Sequence, residues 1–132
     1  MKKGYKENIE NLTTENNNFR KVLYTAEHCQ LVLMSLLAGE EIGMEVHPDN
    51  DQFFRFETGS GKVFINDTVY DVKDGDAVIV PCGSKHNVVA GDQGLKMYTL
   101  YSPAHHKDGT IHTTKSEAES SDEEFDGVTT EQ

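Results

Sequence analysis

Glu45 and His47 stand two residues apart in a run, Gly43 to His47, that reads as a strand. Successive side chains of a strand alternate between faces, so these two point the same way. Pro48-Asp49-Asn50-Asp51 then reads as a turn, and Gln52 opens the next strand, Gln-Phe-Phe-Arg-Phe. A hairpin that closes normally there brings Gln52 back toward the same side. Further on, Gly75-Asp-Ala-Val-Ile-Val-Pro81-Cys-Gly83-Ser-Lys-His86 reads as a turn, a buried strand, a bend, and a His at the start of another strand. A carboxylate, two imidazoles and an amide are types on which acid–base and coordination chemistry draw. Singly, each has a plainer reading, since a lone His is more often a core or surface residue than part of a site.

The elements that must hold these residues are short. Val22 to Thr25, Leu31 to Leu37, Gly43 to His47, Phe53 to Glu57, Lys62 to Ile65, Val69 to Val72, Ala77 to Val80, Asn87 to Val89 and Leu95 to Tyr101 are rich in β-branched, aromatic or apolar residues. Turn-forming clusters separate them: His47 to Asp51, Gly59-Ser60-Gly61, Asn66-Asp67, Asp74-Gly75-Asp76 and Gly91-Asp92. The pattern predicts an all-β sandwich or barrel, not βαβ units. Residues 1–18 read as a polar N-terminal arm, residues 19–104 as the barrel, and residues 105–132 as a tail that begins with His105 and His106. From Lys115 onward the tail holds seven acids and one Lys, with too few large apolar side chains to bury itself, so it is expected to be mobile. Lys115 to Phe125 is the single stretch expected to turn helical.

Composition bounds the function. The 132 residues, 14.7 kDa, suffice for one ordinary domain. With 23 Asp and Glu against 12 Lys and Arg, the net charge of -11 disfavours nucleic acid and anionic membrane surfaces as partners. The longest apolar stretch, Leu31 to Ala38, falls far short of the ~20 residues of a membrane span. The N-terminus has no apolar run behind its lysines and does not read as a secretory signal. Cys29 and Cys82 form no disulfide framework or zinc knuckle, which predicts reduced thiols in a cytoplasmic protein, with Cys82 as a small buried filler.

Together the two blocks are more specific than their parts. Gly39-x5-Glu45-x-His47-x4-Gln52-x6-Gly59 and Gly75-x5-Pro81-x-Gly83-x2-His86-x3-Ala90, with 15 residues between them, resemble the two motifs of the cupin superfamily. The family usually has His where Glu45 stands, Glu where Gln52 stands, and Asn where Ala90 stands. The chain is most similar to small single-domain cupins, mostly uncharacterised, that carry an EVHPDxDQFFR-type block. Some bear names drawn from mannose-6-phosphate isomerase, a zinc enzyme whose Gln, two His and Glu are the same donor types in permuted order.

The resemblance implies a jelly-roll barrel, or double-stranded β-helix, with a divalent transition metal (Fe, Mn, Ni or Zn) near its axis. Carried over position by position, its ligands are Glu45, His47, Gln52 and His86. Two imidazoles and a carboxylate suit such an ion, and the carboxylate has moved from the usual fourth slot to the first, leaving the formal charge unchanged. Gln52 is either a fourth ligand or a hydrogen-bond partner of bound water. Asp49 and Asp51 are rival oxygen donors whose plainer role is in the turn. Phe54 and Phe56 share Gln52's parity and face inward, as core or as the mouth of a pocket. Tyr98 is the further pocket-lining candidate, with Tyr101 on the opposite face of its strand. His105, His106 and His112 read as a second metal patch, a cover for the barrel opening, or exposed residues. The implied function is small-molecule chemistry of the dioxygenase or sugar-isomerase kind, or else non-catalytic binding of a sugar or other metabolite. A homodimer is expected, with residues 5–25 covering an edge of the partner.

Overall fold

A computed structural model describes residues 1–132. In chain order it contains α1 (Ile9–Glu15), β1 (Arg20–Thr25), β2 (Gln30–Leu36), β3 (Glu45–Val46), β4 (Asp51–Ile65), β5 (Thr68–Lys73), β6 (Ala77–Val80), β7 (Lys85–Ser102), β8 (Ile111–His112) and α2 (Lys115–Glu119). The strands form an antiparallel sheet in the order β5-β4-β7-β2-β1-β8, with β3 also on β7 and β6 also on β4. The expected all-β architecture is what forms.

Two strands carry the design. The runs 53–57 and 62–65 are halves of β4, and 87–89 and 95–101 are halves of β7. The clusters Gly59-Ser60-Gly61 and Gly91-Asp92, expected as turns, are bends inside continuous strands. β4 pairs with β7 from Asp51↔Ser102 to Ile65↔His86, with register shifts at Phe56/Thr58 and Gly59/Gly61. Near the shifts the backbones nearly touch. A Cβ on Gly59 would stand 2.1 Å from the Gly94 carbonyl oxygen, and one on Gly61 2.3 Å from that of Val89. Glycine is therefore needed for close approach, and the bulge bends each strand from one half of the barrel to the other.

Alternation fills the interior. Gln52, Phe54 and Phe56 of β4 are buried, as are Met97, Thr99 and Tyr101 of β7. Phe54 and Phe56 stack with ring centres 6.1 Å apart. They meet Val32, Met34, Leu36, Val63, Val88 and Leu95 in one cluster. Phe53 and Tyr98 are on the outer face, their rings 6.4 Å apart.

Both ends carry short helices and hydrogen bonds to the barrel. α1 hides in a polar sequence because its signal is a cap: the Asn8 side chain accepts from the Asn11 N–H at 3.0 Å. Thr13 is fully buried, and Lys96 Nζ donates to the Thr14 carbonyl at 3.0 Å, fastening the helix to β7. α2 begins where expected, at Lys115, behind the Thr114 cap, but ends at Glu119. The acidic tail is tied by its backbone and its carboxylates: Thr130 N–H donates to the Thr25 carbonyl at 2.9 Å, and Glu131 accepts from the N–H groups of Lys3 and Gly4 at 2.7 and 3.0 Å. Poverty in apolar residues does not preclude ordering by such bonds. No helix is long and apolar enough to cross a membrane.

The close approach of β4 and β7 gives the first expectation. Gly59→Ala and Gly61→Ala each destabilise by about 2–3 kcal/mol or more, because backbone must move to admit the methyl group. Gly39→Ala, where a Cβ meets nothing within 4 Å, carries the positive-φ penalty of ~1–2 kcal/mol alone. Urea midpoints rank the three variants, and equal losses would contradict the steric account.

Candidate functional site

The site is built by pairing. β3 lies antiparallel on β7 with Glu45 opposite His86, so a carboxylate and an imidazole from the two sequence blocks share one face. The Gly83 N–H donates to the His47 carbonyl at 2.9 Å, which locks the bend of the second block onto the end of the first. The Gly43 N–H donates to Asn87 Oδ1 at 2.9 Å and anchors the approach to β3. Gln52 faces inward from β4 opposite Tyr101. These pairings bring Glu45, His47, Gln52 and His86 to one end of the barrel.

The geometry there is tight. His47 Nε2 is 3.3 Å from Glu45 Oε2, and the His47 and His86 ring centres are 5.1 Å apart. His86 Nδ1 lies 2.9 Å from the Ser84 carbonyl, so that nitrogen carries the proton and Nε2 is left as an acceptor. The Gln52 amide donates through Nε2 to Thr99 Oγ1 at 3.1 Å. Its Oε1 is buried without a hydrogen-bond partner. Glu45, Gln52, Phe54, His86 and Tyr101 are among the residues around a narrow enclosed space with no room for a water molecule.

Burial decides the protonation states. It pushes His47 down to about 3, with the neighbouring His105, His86 and His106 acting in the same direction. The His47 imidazole is therefore neutral, and its 3.3 Å contact with Glu45 is not an ion pair. Burial raises the Glu45 carboxyl, opposed by Arg20 and His86. Arg20 is itself buried, with Nε unpartnered and one terminal nitrogen 3.1 Å from His112 Nδ1. Its positive field favours charge on Glu45 and neutrality on the histidines.

Three residues of the tail segment also reach this end. The His105 ring centre is 4.4 Å from that of His47. His106 is buried, with Nδ1 2.8 Å from Glu123 and Nε2 3.3 Å from the Tyr101 hydroxyl. Burial holds it down at about 4, overriding the raising effect of Glu123. Burial also keeps the Tyr101 phenol protonated. His112, buried beside Arg20, completes the shell. The three histidines are thus neither exposed nor a separate patch.

Other sequence candidates fall elsewhere. Phe54 borders the enclosed space, whereas Phe56 lies deeper in the core. Tyr98, on the outer face, does not reach it; Tyr101 does, because strand parity continues unbroken from Met97. Asp51 Oδ1 accepts from the Cys82 N–H at 2.9 Å and Asp49 is exposed, so both serve the turn. Cys82 is exposed, not a buried filler, because the bend after Pro81 turns outward; both cysteines are free. His105 and His106 were not separable from the tail by composition. Their signal was adjacency: three residues after Ser102 the chain is still beside β7. A larger concavity of about 620 Å³ at Lys62, Asp71, Val89 and Gly91 lies away from the histidines, and a Lys62–Asp71 ion pair of 2.6 Å borders it.

As they stand, the side chains include no group of three or more His, Cys, Asp or Glu poised on a metal position. The donor set nonetheless fits one. His86 presents a free ring nitrogen, His47 is neutral, Glu45 is a carboxylate, and the Gln52 carbonyl oxygen lacks any donor.

The Cupin domain family (Cupin_2) matches residues 32–101. The chain is 44% identical over 118 residues to YrkC of Bacillus subtilis (strain 168), covering 84% of this chain and 63% of that one. It thus spans less than two thirds of that relative. Over 112 residues it is 39% identical to L612 of Acanthamoeba polyphaga mimivirus, covering 81% and 70% of the two chains. The crystal structure of BH2720 from Bacillus halodurans superposes with a TM-score of 0.88 at 40% identity, over 90% of this chain and 96% of that one.

Buried neutral histidines make stability depend on pH. The folded-state values of His47 and His106, about 3 and about 4, lie below the unfolded value of about 6.5. The unfolded chain therefore takes up protons that the folded chain refuses, and stability falls as pH drops from about 6.5 toward 4. Glu123, whose carboxyl is held low by His106 and the Lys107 N–H, adds a loss of the same sign. The urea midpoint should drop from pH 7 to pH 4.5, less steeply in His106→Gln; a flat profile would contradict the assignment.

Proposed function

Because this chain belongs to the cupin family, whose architecture hosts many activities, we propose its function from the site alone: a divalent-metal cupin centre, formed by Glu45, His47, His86 and Gln52, that acts on a small molecule. The observation that carries this reading is Gln52 Oε1. A buried amide oxygen without a hydrogen-bond partner costs about 1–3 kcal/mol; the Tyr101 hydroxyl beside the amide is committed to His106, and a cation or its bound water would supply the partner. The rest of the donor set agrees. His86 is oriented by the Ser84 carbonyl, the kind of outer hydrogen bond that fixes a ligating imidazole.

When bound, the metal supplies Lewis acidity toward an oxygen of the substrate, or redox chemistry if it is iron. The chain's own groups set the conditions. Glu45 contributes the negative charge at the centre. Tyr101, protonated, donates its one hydroxyl proton to His106 Nε2 and leaves its oxygen as an acceptor. Phe54 and Val88 exclude water from the inner side. The gap leaves no room for a water molecule as the side chains stand, so a reactant or ion enters only as they move apart. The same tightness supports a second reading, a closed site that binds without catalysis.

Elemental analysis of the full chain, purified without chelator, tests the centre. The expected result is close to one metal per chain, lost in the His47→Ala/His86→Ala double variant. No binding by the wild type after reloading with iron, manganese, nickel or zinc would overturn the reading. Oxygen consumption with iron bound then separates a catalytic centre from a closed one.

A further inference from the structure

We propose that His105, delivered by the segment after β7, is the third imidazole of the centre and stands in for the one that Glu45 displaces. The inference rests on the metal reading above and adds a residue outside both sequence motifs.

The first support is separation. For an ion 2.0–2.1 Å from a ring nitrogen, the ring centre lies about 3.2 Å away, and two such rings at 90–109° have centres roughly 4.5–5.2 Å apart. His47 and His86 are at 5.1 Å, and His47 and His105 at 4.4 Å. His47 thus stands between two imidazoles at the spacing of co-ligands. Rotation about χ2 redirects ring nitrogens while leaving ring centres nearly in place, and that torsion is soft in histidine. In the present ring orientations no three donors converge, so His47 and His105 must turn about χ2 for the centre to form.

The second support is how His105 is held. One buried amide grips its backbone and a second holds the two residues before it. Gln30 is fully buried; its Oε1 accepts from the N–H of His105 at 3.2 Å and of His106 at 3.0 Å, while its Nε2 donates to the His106 carbonyl at 2.7 Å and to Thr25 Oγ1 at 2.8 Å. Asn50 Nδ2 donates to the Pro103 carbonyl at 2.6 Å and to that of Ala104 at 3.3 Å. From the far side the Phe125 N–H donates to the His105 carbonyl at 3.1 Å. The bonds to residues 103–106 all fall on the main chain, and the His105 imidazole has no hydrogen-bond partner of its own. Its ring instead lies against Tyr101, with centres 5.3 Å apart and planes 27° apart. So much buried polar structure around an otherwise unused imidazole is the arrangement that a ligand requires.

Copper(II) alone serves as the probe, added to the full chain. Pulsed EPR counts coordinated imidazoles, and competition titration gives the affinity. The wild type is expected to show three imidazoles and His105→Gln two, with affinity lower on the order of 100-fold. Gln30→Leu keeps the imidazole but frees its backbone, and should weaken binding about ten-fold, the scale of lost outer-shell support. The half-buried His105 ring can be replaced without opening the core, and circular dichroism checks each fold. An unchanged imidazole count and affinity in His105→Gln, with binding lost in His86→Ala, would overturn the role of His105 and leave the metal reading intact. No binding by the wild type would overturn both.

Discussion

The pairing of β4 with β7 is the constraint on which the remainder of the structure depends. Both strands run the length of the barrel, and both must bend where they cross from one half to the other. Backbone contact at Gly59 and Gly61 permits that bend, since a Cβ there would stand 2.1 and 2.3 Å from a carbonyl oxygen of β7. With the two strands fixed, β5 and β6 dock on β4, while β2 and β3 dock on β7. The candidate centre is a consequence of the same pairing. Register sets Gln52 opposite Tyr101 and, through β3, Glu45 opposite His86.

The electrostatics of that end are those of a place kept neutral at its imidazoles and charged at its carboxylate. Burial suppresses protons on His47 and His106, and Arg20 reinforces this from within the wall. Arg20 also offsets the desolvation of Glu45 without touching it. Deprotonated nitrogen and oxygen donors are the states from which a divalent ion is bound. A barrel filled for packing alone would have no need of a partnerless amide oxygen or a buried guanidinium beside it.

Much of this was legible in the sequence. Strand parity put Glu45 and His47 on one face with Gln52 returning beside them, and the resemblance to the cupin motifs added His86, because register between distant strands is not encoded in local spacing. Turn signals located most strand ends. They failed at Gly59-Ser60-Gly61 and Gly91-Asp92, where glycine serves close approach within a strand and composition looks the same as in a turn. α1 was missed because seven mostly polar residues carry no helical stripe, and its cap and one buried threonine do the work instead. Tyr98 and Tyr101 differ by odd spacing, so parity separated them, but which parity faced inward depended on the register with Gln52. The contribution of residues 105–112 was invisible for another reason. It depends on contacts across some 75 residues of chain, from Gln30 to His105 and His106, and no local pattern encodes those.

The arrangement of β4 also sets an order of assembly. Its distal half meets β5 through the two-residue Asn66-Asp67 turn, so Ile65↔Thr68 can close first with little loss of chain entropy. The proximal half has no such neighbour in sequence. Its pairing with β7 joins Asp51 to Ser102, and that contact forms only after a loop of dozens of residues has closed. Dominance of such long-range pairs places the chain among slow folders, with rates on the millisecond-to-second scale. The hairpin of residues 60–73 is then the natural nucleus, and the end of the barrel that gathers the histidines is the last to be assembled.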